Sequence, residues 1–204
     1  MVGLLAAPAA AGPLIWALGD SLTAGYGLPP AQGFTARLQE ALRAGGIDAT
    51  VANGGVSGDT TAQGRARLLW GLRGLGRVPD LAIVELGAND MLRGLPVAQA
   101  RANIDAILTE FDRRRVPVLI AGMRAAPNLG SAYATAFDAM YPALARAHRA
   151  RLYSFFLAGV AGRRELIQAD GLHPNARGVA IIVAGIAPAV RGALPRPATA
   201  RARR

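Results

Sequence analysis

LIWALGDSLTAGYGL (14–28) changes character halfway along. Leu14 to Leu18 form a continuous apolar run, the pattern of a strand buried on both faces. The run stops at Gly19-Asp20-Ser21, and Gly25 and Gly27 follow. A core strand that ends in a serine at a glycine-lined turn delivers a hydroxyl to a sheet edge. Four further apolar runs, ATVANG (49–54), LAIVELG (81–87), VPVLIAG (116–122) and RLYSFF (151–156), alternate with segments of helical periodicity. Phe34, Leu38, Ala41 and Leu42 share one helical face before Gly45-Gly46 stops the helix. Ile104, Ile107, Leu108 and Phe111 do the same in 97–114, and Phe137, Met140, Tyr141 and Leu144 in 132–148, while 175–193 is apolar on most sides. The alternation predicts an α/β fold, a parallel sheet covered by helices on both faces, with the ligand site beyond the carboxyl ends of the strands.

The 204 residues, 52% hydrophobic and 18% charged, suit one globular domain, expected over 13–193. Glycine, proline or arginine breaks each apolar run before the roughly 18 to 20 residues of a membrane span, so no stable membrane insertion is expected. MVGLLAAPAAAG (1–12) reads as a signal remnant or a disordered start, since its small residues resemble a cleavage site but the first basic residue is Arg37. Export and a cytoplasmic location are equally compatible with that. Cysteine is absent, which excludes disulfides and thiol catalysis. The net charge of +10 comes from a basic set made wholly of arginine, most simply a coding bias. Arg196, Arg201, Arg203 and Arg204 fall in 194–204, read as a basic disordered tail, and Arg113 to Arg115 as a solvated helix end. With 5% aromatic residues and no clustered stacking partners, the charge does not make a nucleic-acid platform.

Three of the predicted strands are followed by chemistry-bearing residues, Gly19-Asp20-Ser21, then Asn53 to Asp59, then Gly87-Ala88-Asn89-Asp90, and after the last strand and a short helix comes ADGLHPN (169–175). A serine hydroxyl is a poor nucleophile until a base takes its proton, and imidazole, with an unperturbed pKa of about 6.5, suits that task. Asp170 lies three residues before His173 in a turn marked by glycine and proline, so one bend brings carboxylate to ring. The other histidine, His148, sits in a helical segment without a nearby carboxylate in sequence and is read as solvated. Acyl transfer also needs donors for an oxyanion. Gly58, Asn89 and the main-chain N–H of Ser21 can supply them.

GDSLTAGYGL, NGGVSGDTT, ELGANDMLRG and DGLHPN, in this order over residues 19–175, resemble the four blocks of the SGNH (GDSL) hydrolase family. The similarity is greatest to its bacterial arylesterase, acyl-CoA thioesterase I and lysophospholipase L1 branch, and extends to PNLGSAYATAFDAMYPALA (127–145). The resemblance implies a three-layer α/β/α, flavodoxin-like five-stranded parallel sheet of order 2-1-3-4-5. It implies hydrolysis of small-molecule acyl esters or thioesters by a monomer, with no cofactor or metal. By motif position it makes Ser21 the nucleophile, Gly58 and Asn89 oxyanion donors, Asp170 the orienting carboxylate and His173 the base. Ala88 and Gly54-Gly55 depart from that branch's usual residues and bear on the shape of the acyl pocket.

Plainer roles are also available to these residues. Ser21 alone would serve as a helix N-cap, and Asp20 as a cap or loop brace. Asp59 and Asp90 are expected to brace loops through main-chain N–H groups, and Gly54 and Gly55 to form a turn. A metal-dependent phosphate hydrolase using Asp20, Asp59, Asp90 and Asp170 is an alternative chemistry, but it gives Ser21 and His173 no role. A non-catalytic basic binding protein is a third reading, and a missing triad member would favour it.

Overall fold

The computed structural model describes residues 12–195. Five parallel strands, β1 (Leu14–Gly19), β2 (Thr50–Gly55), β3 (Leu81–Glu85), β4 (Val118–Ala121) and β5 (Arg151–Tyr153), form one sheet of order β2-β1-β3-β4-β5. This is the strand order that the resemblance implies. β1 is buried along its whole length, as its unbroken apolar run requires.

The helices are α1 (Ser21–Ala24), α2 (Phe34–Ala44), α3 (Thr61–Gly74), α4 (Ala88–Leu92), α5 (Val97–Arg113), α6 (Ser131–Ala147) and α7 (Ala176–Ala193). α2 packs with α7, and α3 with α5 and α5 with α6, so the two groups cover the two faces of the sheet. Helical periodicity locates them well because each buries one apolar stripe: Phe34, Leu38 and Leu42 of α2 and Ile104, Ile107, Leu108 and Phe111 of α5 are all buried. α3 begins with a capping box, the Thr60 side chain receiving the Gln63 N–H while Gln63 receives that of Thr60.

Two expectations change here, for Gly54-Gly55 and for the extent of β5. Gly54 and Gly55 are the last residues of β2, paired with Leu18 and Gly19, and do not form a turn. They are small because a Cβ on Gly54 would overlap the Trp16 indole and one on Gly55 the main chain of Ala24. α7 is long and apolar enough to cross a membrane, with a mean hydropathy of 1.4 over 18 residues. Its Val179, Ile182, Val183, Ile186 and Val190 are instead buried, in a helix packed on α2, β4 and β5. β5 is also shorter than its apolar run, since Phe156 enters the core beyond the strand. Except for Gly12, Leu194 and Pro195, the proposed flanking segments 1–12 and 194–204 lie outside the described residues.

Register aligns the carboxyl ends of the central strands. Gly19 pairs with Gly55 on one side and Glu85 on the other, so the turns after β1, β2 and β3 open on one edge.

Candidate active site

Ser21 is the first residue of α1, directly after the turn that ends β1. Asp20 caps this short helix, its Oδ1 accepting the Leu22 N–H at 3.0 Å, and Ser21 is not the cap. The helix ends after one turn at Gly25, whose φ of 80° is a left-handed conformation suited to glycine. His173 arrives from the other end of the chain. Its Nε2 lies 2.9 Å from Ser21 Oγ, and its Nδ1 lies 2.6 Å from Asp170 Oδ2. A carboxylate at Nδ1 selects the tautomer with the proton there, which leaves Nε2 to accept from the serine hydroxyl.

Asp170 is held by more than the imidazole. Its Oδ1 accepts the Leu172 and His173 N–H groups at 2.9 and 3.0 Å. Those main-chain bonds, the Leu172 one foremost, together with the imidazole, pull the Asp170 carboxyl down to about 2. It is ionised throughout the neutral range. The loop that carries both residues is pinned on two sides. Asn175 caps α7 and donates from its amide to the Glu165 carbonyl at 3.0 Å. Gln168 Nε2 donates to the carbonyls of Pro174 at 3.0 Å and Tyr26 at 2.8 Å, which ties the histidine loop to the serine turn. Gly27 makes that crossing possible, because a Cβ there would run into the Gln168 amide. The Tyr26 ring then lies against His173, centroids 4.6 Å apart.

Gly58 sits in the turn after β2 with a φ of 84°, and its N–H has no acceptor among the described residues. Its carbonyl faces away, accepting from Arg93 at 2.7 Å. Asn89 is in the first turn of α4, and its amide nitrogen donates to Asp20 Oδ2 and the Asp59 carbonyl, each at 3.1 Å. Ser21, Gly58, Asn89 and His173 all line one cavity of about 530 Å³. Its remaining wall is mainly apolar, with Leu22, Met91, Leu92, Met123, Ala126 and Leu157. Arg124 enters the wall stacked over the Phe155 ring at 5.3 Å.

The structure therefore brings together the five residues singled out from sequence, with Asp20 and the Asp59 main chain against Asn89. Asp90 braces a loop as expected, its two oxygens accepting from the Thr61 N–H at 2.8 Å and hydroxyl at 2.6 Å. Asp59 departs from expectation: it takes an ion pair at 2.5 Å with Nε of Arg67, which lies on α3, the helix that begins just after it. The carboxylates of the metal alternative thus each answer to a different partner, and no cluster of three metal-ligating groups occurs among the described residues. His148 is corrected more strongly. Its side chain is 12% exposed and lies between Asp112, 2.6 Å from Nδ1, and Asp105, 3.0 Å from Nε2. Both carboxylates come from α5, far off in sequence, so local reading could not find them. Gln168, Tyr26, Arg67 and Glu85 were also missed. Only Glu85, a charged residue inside the buried run LAIVE, carried a signal in sequence.

A model of the GDSL-like lipase/acylhydrolase family matches residues 17–181. Esterase TesA of Pseudomonas aeruginosa is 41% identical over 171 residues, 84% of this chain and 84% of that protein. The arylesterase of Vibrio mimicus is 39% identical over the same shares of both chains. A crystal structure of AlinE4, a SGNH-hydrolase family esterase, is 51% identical, with a TM-score of 0.77 over 91% of this chain and 98% of that one.

Proposed function

This chain belongs to the GDSL-like lipase/acylhydrolase family, and from that premise we propose that it hydrolyses carboxylic esters by two-step acyl transfer through Ser21, His173 and Asp170. The observation that carries the assignment is the continuous line Ser21 Oγ, His173 Nε2, His173 Nδ1, Asp170 Oδ2, with links of 2.9 and 2.6 Å, at the floor of an apolar cavity. Its relatives named esterase and arylesterase support the same reaction class.

In the first step Ser21 Oγ bonds to the substrate carbonyl carbon while its proton passes to His173 Nε2. The carbonyl π pair moves onto oxygen, and the N–H groups of Ser21 and Gly58 and the Asn89 amide stabilise the resulting charge. Both Asn89 amide hydrogens already have acceptors, so its donation to the oxyanion shares or displaces the Asp59 carbonyl, the neutral one of the two. Collapse breaks the bond to the alkoxide or thiolate, which takes the proton from His173. Water then repeats the sequence, His173 accepting its proton as the hydroxyl oxygen bonds to the acyl carbon, and the acid leaves as Ser21 recovers its hydrogen. Asp170 stays ionised and holds the imidazolium when it forms.

The apolar wall fits an aliphatic or aromatic acyl ester, and acyl thioesters and lysophospholipids belong to the same proposal. Hydrolysis of p-nitrophenyl esters from two to sixteen acyl carbons, with wild type and Ser21→Ala compared in EDTA, tests it. We expect turnover that Ser21→Ala reduces by on the order of 10⁵ to 10⁶. Turnover indifferent to the substitution, or lost to EDTA in wild type, would sink the assignment.

A further inference from the structure

Glu85 ends the central strand β3 and is completely buried, a residue to which the acyl-transfer sequence gives no task. Its Oε2 accepts from the Thr23 hydroxyl at 2.8 Å and, weakly, from the Asp20 N–H at 3.4 Å. Its Oε1 is the one buried side-chain oxygen or nitrogen among the described residues that finds no donor. A carboxylate oxygen buried without a donor is costly, on the order of several kcal/mol. The same oxygen on a carboxylic acid can carry the proton and become a donor itself.

The neighbour that could receive such a proton is Asp20, which is 1% exposed. Among the described residues no arginine bonds to either carboxyl: Arg67 from α3 donates to Asp59 and to the Gly19 carbonyl instead. Two buried carboxyls side by side without a cation cannot both ionise. Of the two, Asp20 is the better anion, since it accepts the Leu22 N–H and an Asn89 N–H, both at close to 3 Å.

We propose that Glu85 is carried as a neutral carboxylic acid that donates its proton to Asp20, and that this pair is the positioning device of the Asn89 amide. Burial raises both groups above the ordinary carboxylate range, and a side-chain hydrogen bond from Glu85 is among the interactions that draw Asp20 back down. Asp20, kept anionic, grips one Asn89 hydrogen and leaves the other, which rests on the Asp59 carbonyl, as the one to be shared with the oxyanion. It also adds a second negative charge near His173 when that ring becomes an imidazolium. The other titratable groups that face the pair are His173 from the last loop, beside Asp20, and Tyr141 from α6, which faces both carboxyls and Asp90 from α4. Tyr141 is itself raised, by burial and then by Glu85, and stays neutral while its hydroxyl donates to the Leu86 carbonyl at 3.1 Å.

The catalytic consequence rests on the acyl-transfer reading, but the protonation does not, and the two are measured separately. Carbon-13 NMR of protein labelled at the Glu and Asp carboxyl carbons, titrated from about pH 5 to 9, should show one Glu signal that stays protonated through neutrality. That signal should be missing in Glu85→Gln. If every Glu carboxyl is ionised at pH 7, the proposal is overturned, whatever Ser21→Ala does to turnover. For positioning, Glu85→Leu should lower kcat on the order of tenfold or more, move the acid limb of kcat/KM upward and shift the Asn89 side-chain amide resonances. Glu85→Gln, which can still donate to Asp20 and accept from Thr23, should restore most of all three. A Gln variant with unperturbed folding that leaves kcat, acid limb and amide resonances displaced would show that the proton has no such role, and so would a folded Leu variant that leaves them in place.

Discussion

Asp170 touches the imidazole of His173 with one oxygen and the main chain of Leu172 and His173 with the other. The residue therefore shapes the loop and orders the ring through different atoms. Asp170→Asn keeps an oxygen for the two N–H groups but removes the charge that fixes the tautomer. We expect kcat to fall by roughly 10³ to 10⁴ with little change in Tm, read from steady-state kinetics and thermal melts. An equal loss of folding would mean that the loop contacts dominate.

Asn89→Ala takes a donor from the oxyanion and, in the same stroke, leaves Asp20 Oδ2 short of a partner. Loss of one such donor is worth on the order of 10² to 10³ in kcat. The unsatisfied buried oxygen should also lower stability by about 1 to 3 kcal/mol. KM should move far less than kcat, because the oxyanion exists only beyond the ground state. A variant impaired chiefly in KM would assign Asn89 to substrate binding instead.

The cavity makes a prediction about size. Ala126 lines its wall among other apolar residues. Ala126→Phe should cut kcat/KM for long acyl esters by at least about tenfold while acetyl esters lose little, since several buried methylenes at about 0.8 kcal/mol each are at stake. Uniform losses across the p-nitrophenyl series would place the acyl chain elsewhere.

His148 supplies a pH dependence of stability. Burial pushes its imidazole down, but the hydrogen bonds and charges of Asp105 and Asp112 outweigh it, and the group ends above its ordinary value. A raised basic group contributes stability that is fully present below the unfolded pKa of about 6.5 and is lost as pH rises through the higher folded value. Hence His148→Gln should lower Tm clearly at pH 5.5 and much less at pH 9. Because both aspartates are about half exposed, the difference should shrink in high salt. A penalty equal at both pH values would mean that packing, not charge, is what the ring contributes.

The parallel sheet and the gathering of candidate residues at its carboxyl edge were legible from short-range pattern, whereas the strand order and the choice of Gly58 came from the family resemblance. A buried parallel strand is an unbroken apolar run, and the residues just after it must lie at the carboxyl edge. Ser21 needed only that rule, whereas His173, well beyond β5, was found from its spacing to Asp170 in a turn marked by glycine and proline. The residues that escaped are those whose partners come from distant elements. His148 meets Asp105 and Asp112 across a helix interface, and Gln168 reaches Tyr26 from the far end of the chain. Gly54 and Gly55 were misread for a related reason, since turn chemistry and close packing both select glycine. Only the neighbouring Trp16 and Ala24 decide between them.

Finally, 152 positions separate Ser21 from His173, and the Gln168 clasp spans 142. Ser21 follows β1, the first strand of the described residues, and His173 comes just before α7, the last helix among them. At translation rates of about 5 to 20 residues per second, the nascent chain carries an inert serine for on the order of ten seconds or more. On the proposed mechanism, a chain cut short just before residue 173 would carry all five strands of the sheet and still lack its base.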